Sequence, residues 1–121
     1  MERVFIQRSL LPSINRFKRN VRACLMEIGK SPDTHIYDLH PHSFDFCPPG
    51  EALGFIVSLM RFYARLESDM DRQILITEVL ERGRHYPFWH YGLIETPDYR
   101  QRVYALYEKL DQAFHIKEET L

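Results

Sequence analysis

The sequence predicts an all-α fold, and three features of it point that way. Apolar residues recur three and four apart over several separate segments, the spacing at which side chains share one face of a helix. A single stretch, between residues 31 and 50, breaks this pattern with Pro32, Pro41, Pro48, Pro49 and Gly50. Near the C-terminal end, Thr96-Pro97-Asp98 combines a hydroxyl cap, a proline suited to the first turn and an acid facing the helix dipole. The chain divides accordingly into a basic N-terminal helix region over 1–30, a Pro/His-rich loop over 31–50 and a helical domain over 51–121.

The first helix is expected over Leu10–Gly29. Pro12 fits its first turn, Ser13 or Asn15 its cap, and Gly29 its stop. Ile14, Phe17, Val21, Leu25 and Ile28 follow at helical spacing, with Arg16, Arg19 and Arg22 between them. The loop that follows runs for about twenty residues, long enough in a compact domain to be either functional or a linker, with short extended pieces such as His35–Leu39 allowed. Periodicity returns at Glu51, where Leu53, Ile56, Val57, Met60, Tyr63 and Leu66 form a stripe. Ser68 or Asp69 then caps a helix over about 69–82, its buried face drawn from Met70, Ile74, Leu75, Val79 and Leu80 and its end set by Gly83. A short helix over 86–93 and a last one over 97–115 complete the chain, the latter burying Tyr99, Val103, Leu106, Leu110 and Phe114.

Composition bounds the function. At 121 residues with 45% apolar and 27% charged side chains, the chain has the balance of one globular domain. Two cysteines, Cys24 and Cys47, make no disulfide framework and fit a reducing compartment. The longest apolar runs, Phe55–Met60 and Ile74–Ile76, are far below the roughly 20 residues of a membrane span. A soluble, cytoplasmic protein with no membrane partner is expected. Net charge is −1, which by itself speaks against nucleic-acid binding. Its distribution is uneven: Arg3, Arg8, Arg16, Lys18, Arg19, Arg22 and Lys30 face only Glu2 and Glu27 in the first thirty residues, and Arg82, Arg84, Arg100 and Arg102 form a second basic cluster. Phosphate binding follows local potential, so DNA stays open.

Three consecutive helices with a barely two-turn middle member and the tight connection Ile94-Glu95-Thr96 have the layout of a helix-turn-helix. There the last helix offers its free face to the major groove. With Tyr99, Val103, Leu106 and Leu110 inward, Asp98, Gln101, Tyr104, Ala105 and Glu108 point outward, flanked by Arg100, Arg102 and Lys109. Gln101 suits an adenine edge, and Arg100 and Arg102 suit phosphate or guanine. Thr96 caps this helix, and Arg84, His85 and His90 would touch backbone from the element before it. The candidate DNA-binding set is therefore Arg84, His85, His90, Thr96, Arg100, Gln101, Arg102 and Tyr104.

Several patches resemble the ArpU-like phage late-gene transcriptional regulators, whose C-terminal end is similar to the DNA-binding end of sigma factors. They are Arg72-Gln73-Ile74-Leu75 running into Val79-Leu80-Glu81, then Thr96, Tyr99-Arg100, Ala105-Leu106 and Lys109-Leu110 in that order. Leu10-Leu11-Pro12-Ser13-Ile14 followed by Asn20-Val21-Arg22 resembles that family's opening. The chain departs from the pattern in having Ile94-Glu95 where the turn usually holds glycine, Pro87 in the short helix, and one extra residue before Lys109-Leu110. The resemblance implies a sigma-region-like helix-turn-helix and a sequence-specific DNA-binding transcriptional regulator of phage or prophage origin. Its partner would be double-stranded DNA, with RNA polymerase and a second copy of the chain as further candidates. The alternative from another class is a small protein-interaction factor, an immunity or anti-host protein, using the same helices on a protein partner.

Other features have plainer readings. His35, His40, His42 and Cys47, with Asp38 and Asp45, are zinc-ligand types, but their spacing matches no standard site, so exposed loop histidines are expected and no metal or other cofactor. The run Tyr86-Pro87-Phe88-Trp89-His90-Tyr91 would be a base-stacking platform or, more simply, core with Trp89 wedged between helices. The basic helix Ile14–Ile28 would have a solvated face or serve as an accessory or dimer contact. No phosphate loop, nucleophile elbow or His-Glu-x-x-His pattern occurs; Asp69 and Asp71 do not face each other on a helix, and Cys24 reads as inert packing. No enzyme is expected.

Overall fold

A computed structural model describes residues 10–117. Arg3 and Arg8, and with them part of the expected N-terminal basic region, lie outside the described residues. Within them the chain is all-helical, with four helices and no strand: α1 (Leu11–Glu27), α2 (Glu51–Arg65), α3 (Asp69–Ile74, continued by wider π-helical turns over Leu75–Leu80) and α4 (Thr96–Phe114). The described residues form two compact units, residues 18–67 and residues 68–117 together with 10–17.

α1 follows its sequence closely. Ile14, Phe17, Val21, Leu25 and Ile28 are all buried. The helix ends in a Schellman arrangement, with the Lys30 N–H donating to the Leu25 carbonyl (2.8 Å) and the Gly29 N–H to that of Met26 (3.0 Å). Gly29 sits at φ 86°, a left-handed conformation that a Cβ would oppose.

In the unit 18–67 the expected loop is ordered by local contacts. Arg22 pairs with Asp33 at 2.7 Å, and Thr34 Oγ1 donates to the Ser31 carbonyl at 2.7 Å. The piece His35–Leu39, expected to be extended if regular at all, instead winds a 3₁₀ turn at Ile36–Asp38 that packs on α2 and buries Ile36. A second such turn spans Pro41–Phe44, where the His40 N–H is satisfied by Ser43 Oγ (3.0 Å). Among the described residues no three His, Cys, Asp or Glu side chains converge as a metal site would need.

The burial of α2 departs from the expected stripe. Ala52, Ile56 and Leu59 are buried, with Leu66 beyond the helix end, while Leu53, Val57, Met60 and Tyr63 are half-buried. The helix carries apolar residues on nearly every side, so period alone fixes its type but not its phase.

In the other unit, α3 packs against α4. Ser68 is the cap, its Oγ accepting from the Asp71 N–H at 3.1 Å. Past Ile74 the turns widen to an i→i+5 pattern ending with the Glu81 N–H on the Ile76 carbonyl (2.7 Å). Widening rotates successive residues less per turn of chain, and every residue from Ile74 to Val79 is buried, Thr77 and Glu78 included. α4 buries Tyr99, Val103, Leu106, Tyr107 and Leu110 against this wall. Each fully buried aliphatic side chain there contributes about 1.5–3 kcal/mol of hydrophobic stabilisation. Phe114 meets Phe17 with ring centroids 5.4 Å apart.

The expected helix over 86–93 is absent. Trp89, Tyr91 and Leu93 donate to the carbonyls of Tyr86, Phe88 and His90, three i→i+3 turns on alternate residues that never join into a helix. Pro87 lacks an N–H to continue a ladder and Gly92 sits at φ 88°.

Candidate nucleic-acid interface

Helical geometry on α4 separates a buried side from a free one. Asp98, Arg100, Gln101, Arg102, Ala105, Glu108, Lys109, Gln112 and Ala113 are exposed. Gln101, Ala105, Glu108 and Gln112 form the crest opposite the core, with Arg100 on one flank and Arg102 and Lys109 on the other. The crest is therefore neutral to acidic and the flanks are cationic. Glu108 is engaged by Lys117 Nζ, and the Lys117 N–H donates to Asp111 Oδ1 at 2.8 Å, which ties down the chain just past the helix end.

The start of α4 differs by one residue from the expected cap. Glu95 holds the cap position without a side-chain bond, Thr96 is the first helical residue and half-buried, and Pro97 follows in the first turn. The Glu95 carbonyl accepts from the Tyr99 N–H at 2.9 Å, so Thr96 serves the helix by its backbone and not by its hydroxyl.

Arg100 and Gln101 stand exposed on α4 as expected. Arg102 is half-exposed and anchored: its Nη1 lies 3.4 Å from Asp71 Oδ1 and 3.3 Å from Ser68 Oγ, bridging α4 to the start of α3. Tyr104 is half-buried, edge-on to Tyr107 at 6.0 Å, and does not join the crest. Arg84 is exposed in the turn after α3, where its N–H donates to the Glu81 carbonyl (3.0 Å). His85 Nε2 is 2.7 Å from Glu81 Oε1, so that imidazole already has an acidic partner.

His90 is the clear correction. Expected to touch DNA backbone, it is wholly buried and lies parallel on the Tyr99 ring, centroids 3.6 Å apart and 1° between planes. Trp89, half-buried, meets the same tyrosine edge-on at 5.7 Å. The aromatic run is thus split between core and surface: His90 fills the buried position, and Tyr86 and Leu93, each 68% exposed, sit outside.

Beneath α4 lies a buried polar cluster that the sequence analysis did not anticipate. Glu78 Oε1 accepts from the Tyr99 hydroxyl at 3.0 Å, and Glu78 Oε2 from Arg82 Nη1 at 2.9 Å. Thr77 Oγ1 donates back to the Gln73 carbonyl (2.8 Å). Burial, reinforced by the Glu78 carboxylate, pushes the Tyr99 hydroxyl far above its ordinary range, and Tyr107 in the same way. Burial also lowers the pKa of His90, partly offset by the attraction of Glu78 for its charged form. The Tyr99–Glu78 bond joins α4 to the turns that continue α3. The one available signal was an acid and a base at i,i+4, Glu78 and Arg82, inside an otherwise apolar run.

Comparison of the chain with known protein families, curated proteins and solved structures finds no match.

Proposed function

We propose that this chain is a DNA-binding transcriptional regulator that docks α4 in the major groove. The supporting observation is a 19-residue helix gripped along one side by five buried residues, with Arg100 and Gln101 exposed in its first two turns. A rigid helix with an amide at its crest and cations on both flanks suits base contact at the centre and phosphate contact at the edges. The order of patches shared with ArpU-like regulators supports the same assignment. Because residues 86–93 form turns, the element before α4 would act as a brace and not as a second helix across the groove.

A mobility-shift titration on the DNA flanking the protein's own gene, repeated over a range of salt, tests this. Arg100→Ala is expected to weaken binding and reduce the log–log salt slope by about one, as removal of one phosphate contact should. An unchanged affinity and slope would remove α4 from the interface.

A specific observation favours a second reading, a protein-interaction factor. Tyr86 and Leu93 expose large apolar surface on the turns preceding α4. If the wild-type chain gives no salt-dependent shift on any duplex, these two side chains become the surface to follow.

A further inference from the structure

We propose that the groove between α3 and α4 is a phosphodiester site guarded by Asp71, which competes with the DNA backbone for Arg102. This inference rests on the DNA-binding assignment and adds to it a built-in restraint.

The groove, about 280 Å³ and open to solvent, is lined by Asp71, Arg102, Ala105, Leu106 and Lys109. Arg102, Ala105 and Lys109 follow at i, i+3 and i+7 and so form one stripe of α4. Ala105 leaves the middle of that stripe low, and Leu106 closes one wall. Two cations against one carboxylate leave a single net positive charge, the complement of one phosphodiester. Lys109 is exposed and makes no ion pair among the described residues.

The Asp71–Arg102 contact is suited to exchange. At 3.4 Å it is longer than the usual range for a charge-assisted bond, and the Arg102 side chain is 44% exposed, that of Asp71 18%. Arg102 presents five N–H donors, of which only those on Nη1 address Asp71 and Ser68. A phosphate entering over Ala105 meets the remaining donors and Lys109, while the Asp71 carboxylate stays close enough to repel it. Asp71 thus weakens backbone binding without blocking it. The groove lies on the flank of α4 beside the exposed Gln101–Ala105 crest, so a duplex whose groove takes that crest would bring a backbone phosphate to it, and a duplex is the favoured occupant.

The test measures fluorescence anisotropy of a labelled random-sequence duplex titrated with the full chain over a range of salt. Asp71→Asn removes the repelling charge and keeps the Ser68 cap, which uses only the Asp71 N–H. An anion left about 4 Å from a phosphate in water opposes it by a factor of about five, so D71N is expected to bind about fivefold tighter. Lys109→Gln is expected to lower the salt slope by about one. Arg102→Gln is expected to weaken binding in both the wild-type and the D71N background and to lower the salt slope by about one. Circular dichroism and melting of each variant confirm the fold.

If the wild type binds the duplex with a salt-dependent slope and D71N is no tighter, the guard is overturned and the DNA assignment stands. If neither the wild type nor D71N binds, both fall together. If a polyglutamate peptide displaces the duplex at equal charge concentration, the groove takes acidic protein segments and the phosphodiester assignment is overturned.

Discussion

α3 presents one acid to the interior and another to the surface, and each meets an arginine. Glu78 is buried, holds Arg82 at 2.9 Å and also accepts from Tyr99 on α4. Asp71 sits one end of the helix away, where it reaches Arg102 at 3.4 Å with that guanidinium nearly half in solvent. The chemistry is the same and the surroundings are not. In the interior, losing one partner leaves the other charge with little access to water, so the contact acts as a fixed strut. Nearer the surface, water reaches Arg102, whose side chain is 44% exposed, more readily than it reaches Asp71 at 18%. The two pairs thus differ in depth at one member each: Arg82 and Asp71 are almost equally exposed, at 17% and 18%, while Glu78 is 5% and Arg102 44% exposed.

The largest expected effect breaks the buried strut. Glu78→Ala removes the carboxylate that accepts from Arg82 and from the Tyr99 hydroxyl and is expected to cost about 3–5 kcal/mol, as unfolding in urea would measure. Replacing Glu78 and Arg82 together by leucine removes both charges and is expected to recover most of that loss, since buried pairs are often matched by apolar residues of similar volume. If the single and double variants fall equally, Glu78 acts through something other than its charge.

A smaller effect concerns His90, which the same cluster encloses. Its folded-state pKa lies below the unfolded value near 6.5, so the unfolded chain takes up the proton first. Stability from a neutral His90 is fully present above the unfolded pKa and is lost as pH falls from there through the folded pKa. Urea midpoints measured from about pH 8 down to about pH 5 are expected to fall on the acid side, and His90→Phe, which keeps a ring on Tyr99, is expected to flatten that limb. An acid limb unchanged in H90F would assign it to other groups.

What the sequence made legible follows from the same division by depth. The stripe of α1 and the inward residues Tyr99, Val103, Leu106 and Leu110 of α4 are buried as their spacing required, because one face is apolar and the rest is not. α2 hid its phase because Leu53, Phe55, Val57 and Met60 are apolar beside the truly buried Ala52, Ile56 and Leu59. The π-helical turns over Leu75–Leu80 changed which residues face inward, and a fixed period of 3.6 cannot anticipate that; Glu78 was lost with them. In the run Tyr86–Tyr91 aromatic density was clear, but which ring would be buried depended on a tertiary stack with Tyr99, and His90 took the position. Arg100 and Gln101 were legible as exposed from their place on α4. The Asp71 contact to Arg102 joins residues 31 apart on two helices, and no local pattern encodes it.

The smallest expected effect sharpens the contrast from the surface side. Asp71→Asn deletes an ion pair of the same residue chemistry as Glu78–Arg82, yet its folding cost is expected to be smaller, about 1 kcal/mol, because the amide keeps the Asp71 volume and the Arg102 end of the pair is well hydrated. Arg102 keeps Ser68 Oγ as a partner, which holds the loss down further. Urea midpoints for D71N and the wild type, compared at low and high salt, are expected to converge as salt screens the wild-type pair. A D71N loss as large as that of E78A, and insensitive to salt, would mean that Asp71 is a strut like Glu78. Depth would then no longer separate the two pairs, and a phosphate could not displace the contact without loosening α4 itself.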